Sequence, residues 1–381
     1  MRKQRANSGK VKTSFIFFMV AVFIAAIFLV AYFFPPRSSE LVYESVKTEN
    51  PRLNYVETPE AVRGVYMTSC IASHHELRGK LVKSLEGTKI NTIIIDIKDY
   101  SGTISIPTVD ASLKTDASRG CHYEDAAAFI KELHDKKYYV IGRISVFQDP
   151  YYAAKHPEMA VQKKSDGSIW RDRKGLAFID VSARPYWEYI VKIGKEGRDI
   201  GFDELNFDYI RFPSDGDMTD IAFPWTKDME KKEALRLFFG YLTKQFRGTG
   251  AALSADLFGM TTYATSDMNI GQYLEFALPY FDYVSPMVYP SHYPPQWNGY
   301  ADPAMKPYEV VKYSMDKAYE RASSTPRKLR PWLQDFNLGA TYTPEMVKAQ
   351  MKAVYDSGLN SWMLWSPSNK YTAGALNYAR D

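Results

Sequence analysis

Two aspartates in neighbouring predicted strands are the side chains best suited to catalysis in this sequence. Asp208 lies in the run ELNFDYIRFP and Asp256 lies in LSADLF. A charge in an otherwise apolar strand must be paired or functional. Two carboxylates facing one cavity are what glycoside hydrolysis requires, because one protonates the leaving oxygen while the other attacks the sugar or activates water. We therefore predict Asp208 and Asp256 as a catalytic pair; the alternative is a structural network in which they bridge Arg143 or Arg211.

Other predicted strand ends supply side chains that could contact a sugar. Lys98 could neutralise Asp96, so a salt bridge is the first interpretation there and substrate contact the second. Arg211 is close enough to Asp208 in the chain to hold that carboxylate ionised, and Trp365 could form a platform for a sugar ring. Packing inside the fold is the alternative for the aromatic side chains. The predicted substrate-binding residues are Asp96, Arg143, Arg211, Tyr289, Gln334 and Trp365.

These side chains need a scaffold that brings distant strand ends together. Eight short runs rich in Ile, Val, Tyr, Phe and Leu predict strands, and helical patterns lie between them. Eight such alternations predict an α/β fold, the (β/α)8 TIM barrel. A doubly wound open sheet is the rival, but it usually has a glycine-rich turn after its first strand, and SCIASHHELRG is not one. The predicted strands are 63–68, 91–98, 139–147, 204–212, 252–258, 283–289, 329–336 and 361–366, and the predicted helices are 124–137, 185–198, 231–247 and 344–356.

The connections after predicted strands 2, 3, 4 and 6 are longer than one helix needs. In a barrel such insertions lie at the C-terminal face, where active sites are found. They are rich in aromatic and polar residues, notably in 147–170, 223–225 and 289–300. Rings edged by polar groups suit the faces of sugars, and ordinary loop packing is the alternative for any single ring.

The same segments resemble a known family. The phrases RGVYMT, NTIIIDIKDYSG, GFDELNFDYIRFPSDG, SADLFGM, YVSPMVYPSHY and WMLWSPSN occur in this order between Val62 and Ser368. Together they are similar to a bacterial glycoside hydrolase barrel family long catalogued as a domain of unknown function. The resemblance implies a TIM barrel distantly similar to α-amylase-type enzymes, with a strand-4 aspartate, here Asp208, as nucleophile. Those relatives commonly place a glutamate acid on strand 5, where this chain has Asp256.

The N-terminus carries a membrane signal. Residues 1–14 are basic, with five positive charges in the first twelve, and residues 15–34 contain no charge. Twenty helical residues at about 1.5 Å each span the roughly 30 Å hydrocarbon core. The basic flank predicts a single-pass signal anchor with a cytoplasmic N-terminus, residues 35–61 as an extracellular linker and 62–381 as the exported barrel domain. A cleaved signal peptide is the alternative, but Tyr-Phe-Phe-Pro-Pro is a poor cleavage site.

Composition excludes several other classes. Outside the first twelve residues acidic and basic side chains nearly balance, so we expect no nucleic-acid partner. The chain has no HExxH, P-loop or GxSxG motif, so we expect no cofactor and no metal. The acidic loop 215–220 lacks the final glutamate of an EF-hand, which favours a solvated loop over a calcium site. In an exported domain, Cys70 and Cys121 lie at adjacent predicted strand ends and could form a disulfide.

The expected function is that of a membrane-anchored extracellular glycoside hydrolase acting on a polysaccharide or oligosaccharide, at the cell wall or on an exopolysaccharide. A carbohydrate-binding barrel without catalysis, at the cell surface, is the competing class. A polysaccharide deacetylase is a third interpretation, but the sequence lacks the histidine ligands that its metal would need. The geometry of Asp208 and Asp256 decides between the first two, because hydrolysis needs both carboxylates in an open cleft.

Overall fold

The computed structural model describes residues 55–379, and within them eight parallel strands close into a barrel. Each strand pairs with the next in sequence, and β1 pairs with β8 to complete the ring. This topology confirms the predicted (β/α)8 barrel over the open sheet. The strands are β1 Arg63–Met67, β2 Thr92–Lys98, β3 Tyr139–Ser145, β4 Glu204–Asp208, β5 Ala252–Phe258, β6 Tyr283–Met287, β7 Trp332–Gln334 and β8 Trp362–Trp365.

Helices surround the ring, and all four predicted ones are present within two residues of their predicted ends. No range was predicted for the helix His75–Leu85 after β1 or for the helix Pro307–Ala322 after β6. Gly201 follows the helix Arg184–Ile200 with φ of 120°, a backbone conformation that favours glycine, and there the chain turns into β4. The helices are α1 Ser69–Ala72, α2 His75–Leu85, α3 Ala126–Asp135, α4 Pro150–Lys155, α5 Arg184–Ile200, α6 Lys231–Phe246, α7 Leu274–Ala277, α8 Pro307–Ala322 and α9 Pro344–Asp356.

Strand alternation separates two buried regions. All seven residues of β2 are buried, as is usual for a parallel strand covered on both faces. Ile93, Ile95 and Ile97 belong to the large core between the strands and the helices. Ile94 belongs to a smaller cluster inside the barrel, and Asp96 follows it on the same face toward the C-terminal end. The barrel interior is therefore apolar at mid-height and carries charge near the mouth.

The segment before β1 lies against the N-terminal end of the barrel. The Tyr55 hydroxyl donates to the Arg198 carbonyl at 2.9 Å, and the Val56 amide donates to Asp203 Oδ1 at 2.7 Å. Residues 55–61 of the predicted linker thus contact the base of the fold. The predicted basic segment 1–14, the predicted membrane segment 15–34 and the linker residues 35–54 lie outside the described residues. Within residues 55–379, no helix is both long and apolar enough to cross a bilayer.

A disulfide ties two connections at the barrel mouth. Cys70 lies in α1, directly after β1, and Cys121 lies in the long connection after β2, with a Cα–Cα distance of 4.2 Å. This is the pairing that the sequence led us to expect. The bond closes a loop between residues 51 positions apart, so it restricts the unfolded chain considerably.

Reduction of this disulfide should lower the free energy of unfolding by about 2–4 kcal/mol, because the loop-closure constraint is lost from the unfolded chain. Chemical denaturation with and without a reductant measures the effect. The Cys70→Ser/Cys121→Ser double variant is the control, since its stability should match that of the reduced protein and ignore the reductant. Equal stability of the oxidised and reduced wild type would contradict the prediction.

Candidate active site

A cavity of about 310 Å³ opens at the C-terminal end of the barrel. It is the position at which TIM barrels carry their active sites, since the strand ends and their connections converge there. Six of the eight residues predicted for the site line it: Arg143, Asp208, Arg211, Asp256, Tyr289 and Trp365. Both predicted catalytic carboxylates thus face one cavity, which is the arrangement that hydrolysis needs.

Asp208 is the last residue of β4, and both of its carboxylate oxygens accept hydrogen bonds. Arg143 on the adjacent strand β3 donates to Oδ2 through Nε at 3.1 Å and Nη2 at 2.5 Å. The backbone amide of Tyr209 donates to Oδ1 at 2.6 Å, with Tyr209 at φ of 51°. Arg143, and not Arg211 as the sequence suggested, therefore balances the Asp208 charge. The reason is register: β3 and β4 pair side by side, whereas Arg211 lies beyond the end of β4.

Asp96 lies behind Arg143 and not in the cavity. It accepts from Arg143 Nη1 at 2.6 Å and from the Tyr66 hydroxyl at 2.5 Å. Burial raises the pKa of Asp96 to about 6, although the Arg143 charge and the Tyr66 hydrogen bond lower it. Asp96 therefore has a positioning role in place of the predicted contact with substrate. It binds the guanidinium of Arg143, and that guanidinium binds Asp208.

The expected neutralisation of Asp96 by Lys98 is wrong. Lys98 Nζ lies 2.9 Å from Asp149 Oδ2, both side chains are fully buried, and Lys98 also donates to the Ser145 carbonyl at 2.7 Å. The pairing of β2 with β3 shifts register between Asp96 and Lys98, and such an irregularity changes the direction of a side chain. Lys98 therefore joins the connection after β3 instead of the site.

Asp256 on β5 has no cation beside it. Its Oδ1 accepts from Asn206 Nδ2 at 2.8 Å and from Trp332 Nε1 at 2.9 Å, and the residue is only 1% exposed. Burial, reinforced by the nearby Asp208 charge, raises the pKa of Asp256 well above its usual value; the Asn206 hydrogen bond and Arg143 oppose that rise. Burial thus favours the protonated form of Asp256. Because both donors bind Oδ1, Oδ2 is left to carry the proton.

Aromatic rings line the cavity beside these carboxyls. Trp365 stacks on Tyr66 with ring centroids 4.0 Å apart and meets Trp332 edge-on at 5.6 Å. Trp365 is partly exposed, so one ring region remains available to a ligand. Tyr289 is buried but lines the cavity, and chiefly burial raises the pKa of its hydroxyl.

Gln334 lies outside the cavity and connects two loops. Its Oε1 accepts from the Ser291 amide at 3.1 Å, and its Nε2 donates to the Phe336 carbonyl at 3.0 Å. With its amide used by backbone groups, it orders the connections after β6 and β7, and the predicted contact with substrate stays a prediction. Within residues 55–379, no group of three or more His, Cys, Asp or Glu side chains could hold a metal ion.

Sequence reasoning missed the side chains that hold the carboxyls of Asp256 and Asp96 in place. Asn206 and Trp332 fix Asp256, and Tyr66 fixes Asp96. The signal for Asn206 was present, because it lies two residues before Asp208 and so shares its face of β4. The Trp332 contact could not be found this way, since Trp332 and Asp256 are 76 residues apart and meet only when the barrel closes.

Comparisons with known proteins agree with this geometry. A glycoside hydrolase domain of PgaB (BpsB) from Bordetella bronchiseptica is similar at 14% identity, covering 84% of this chain and 100% of that one, with a TM-score of 0.61. Alpha-L-fucosidase isoenzyme 2 from Paenibacillus thiaminolyticus is similar at 12% identity, covering 83% and 48%, with a TM-score of 0.56. At these identities the likeness shows the barrel fold alone.

A hypothetical protein from Ruminiclostridium thermocellum ATCC 27405 is 32% identical over 50% of this chain and 96% of that one, with a TM-score of 0.46. No similar protein was found among the curated proteins. Residues 64–371 match the family model described as "Putative glycosyl hydrolase domain". Since that match spans nearly the whole barrel and well over half of the chain, this protein belongs to the glycosyl hydrolase family that the model describes.

Proposed function

We propose that this protein hydrolyses glycosidic bonds of a polysaccharide outside the cell, with Asp256 as proton donor and Asp208 as nucleophile or base. The observation that carries the proposal is the contrast between two carboxyls that line one cavity. Burial favours the neutral form of Asp256, whereas Asp208 is paired with Arg143. Two carboxyls in unlike environments can divide the acid and base roles of one reaction.

The proposed chemistry begins with a sugar ring lying against Trp365. Asp256 donates its Oδ2 proton to the glycosidic oxygen as the bond to the anomeric carbon breaks. Asp208 either attacks the anomeric carbon or removes a proton from the attacking water. Arg143 keeps the Asp208 carboxylate oriented, and Asp96 keeps Arg143 in place.

A carbohydrate-binding barrel without catalysis is the second candidate. The observation in its favour is the close Arg143–Asp208 ion pair, because a purely structural aspartate would also be paired in this way. The same aromatic wall would then bind a glycan that is not cleaved. Substitution of Asp208 separates the two candidates.

Asp208→Asn should lower turnover by about 10³-fold or more, since a neutral amide can neither attack the sugar nor accept a proton from water. Folding should survive, because Asp96 still neutralises Arg143. Turnover is measured on the glycan found by screening a polysaccharide panel, and melting temperature on the same preparation. Asp335→Asn is the matched control: Asp335 is also a buried aspartate at a strand end, but it binds Thr372 outside the cavity. A folded Asp208→Asn variant with wild-type turnover would remove Asp208 from the mechanism.

The pH dependence of activity should reflect the loss of the Asp256 proton. Because its pKa is raised, Asp256 holds its proton to higher pH than an ordinary aspartate, so activity should fall only as pH rises through that raised pKa. Asp256→Asn should abolish this basic limb and lower turnover on natural glycans. It should retain more activity on a dinitrophenyl glycoside of the same sugar, because that leaving group needs no proton. Equal losses on both substrates would exclude Asp256 as the acid.

We also propose that the protein is anchored in the cell membrane through residues 15–34, with the barrel outside the cell. The support is the uncharged apolar run with a basic flank before it. The full-length protein should fractionate with membranes and resist alkaline extraction, and external protease should release a barrel fragment beginning within residues 35–54. Deletion of residues 15–34 is the control. A soluble product lacking residues 1–34 in the native host would contradict the anchor.

A further inference from the structure

The cavity contains two guanidinium groups with different surroundings. Arg143 is shared between Asp96 and Asp208, so its hydrogen-bonding capacity is largely used by carboxylates. Arg211 lines the same cavity, yet no carboxylate of residues 55–379 forms an ion pair with it. The second cation is therefore the one that is left for a ligand.

Arg211 is held in place by neutral groups. Its Nη1 donates to the Phe212 carbonyl at 3.1 Å and to Ser214 Oγ at 3.2 Å. Its guanidinium lies over the Phe258 ring at 4.8 Å and the Tyr209 ring at 5.3 Å. Its Nε and Nη2 have no hydrogen-bond partner within the described part of the chain, which leaves two donors for the cavity.

Burial of the Arg211 guanidinium destabilises the ligand-free protein. Arg211 is only 8% exposed, and burial lowers the pKa of its guanidinium although Tyr209 and the charges of Asp208, Asp215 and Asp172 raise it. A buried cation that forms no direct ion pair costs free energy that a bound anion would recover. A planar guanidinium with two free donors matches the two oxygens of a carboxylate or of a phosphate.

We propose that Arg211 binds an anionic group, a carboxylate or a phosphate, on a sugar of the glycan that occupies this cavity. The substrate class would then be an acidic polysaccharide, an inference that rests on the proposed glycoside hydrolase function. The other titratable groups of the cavity suit an anion. Burial favours the protonated form of Asp256, and Asp208 is paired with Arg143, so the two carboxyls leave little unbalanced negative charge facing a ligand. Burial and the Lys174 charge both lower the pKa of His292, and Arg211 lies in the cavity wall without an ion pair.

The experiment measures binding of small probes to the full-length protein in detergent by ligand-detected NMR. D-glucuronate and D-glucose differ in a carboxylate, and D-glucose 6-phosphate tests the phosphate source. The dissociation constant of at least one anionic probe should be about tenfold or more below that of D-glucose. One charge-assisted hydrogen bond is enough to produce a difference in affinity of that size. Preference for glucuronate or for the 6-phosphate identifies which anion the site takes.

Arg211→Met keeps the aliphatic packing and removes the charge, so it should bring the anionic probes to the affinity of D-glucose. Arg211→Lys keeps a cation without the planar fork and should give an intermediate preference. Arg327→Met, at an exposed arginine in the turn before β7, is the matched control and should change nothing. If Arg211→Met fails to fold, Arg211→Lys against wild type carries the comparison.

The inference is overturned if the wild-type protein binds anionic and neutral probes with equal affinity. It is also overturned if Arg211→Met and Arg211→Lys both keep the full wild-type preference for the anionic probes. This failure is distinct from failure of the proposed function. If the protein cleaves a neutral glycan and shows no Arg211-dependent preference for anions, the proposal of hydrolysis stands and the proposal of an acidic substrate fails. A protein that binds glucuronate through Arg211 but cleaves nothing in the panel loses hydrolysis and retains the anion site.

Discussion

The buried guanidinium of Arg143 is the interaction on which the site depends. It binds Asp96 on β2 and Asp208 on β4 from its own strand β3, so it joins three neighbouring strands inside the barrel. Removing one partner from a buried ion pair costs about 3–5 kcal/mol, because the remaining charge is left without compensation. The second carboxylate limits that cost here. Asp208 can therefore face the cavity with its charge intact while the scaffold stays stable.

The floor of the barrel closes the cavity from the other side. Glu204, the first residue of β4, accepts hydrogen bonds from Arg330 at 2.6 Å and from the Tyr139 hydroxyl at 3.0 Å. Above this pair, Ile94 and Ile141 belong to the apolar cluster inside the barrel. The interior thus has charge at both ends and hydrocarbon between them. The described residues thus place the cavity at the mouth of the barrel, beside the carboxyls and the aromatic wall.

Environment, and not residue type, separates the roles of the two site aspartates. Asp208 has a guanidinium and a backbone amide, which favour negative charge. Asp256 has only a neutral amide and an indole, and it faces the Asp208 charge. The charge of Asp208 makes ionisation of Asp256 more costly. Arg211 adds a third environment, a cation held by neutral groups and aromatic rings.

The sequence by itself determined the eight-stranded barrel and placed Asp208 and Asp256 at one cavity, since strand alternation and apolar runs are local patterns. The tertiary structure decided which side chains pair with these carboxyls. Arg143 lies 65 residues from Asp208, and strand register brings them together, whereas Arg211, three residues away, points to neutral groups. Inside the barrel, neighbours in sequence were thus poor guides to ion pairs. The Arg143 pairs form across strands, and that choice depends on register, which no single segment encodes.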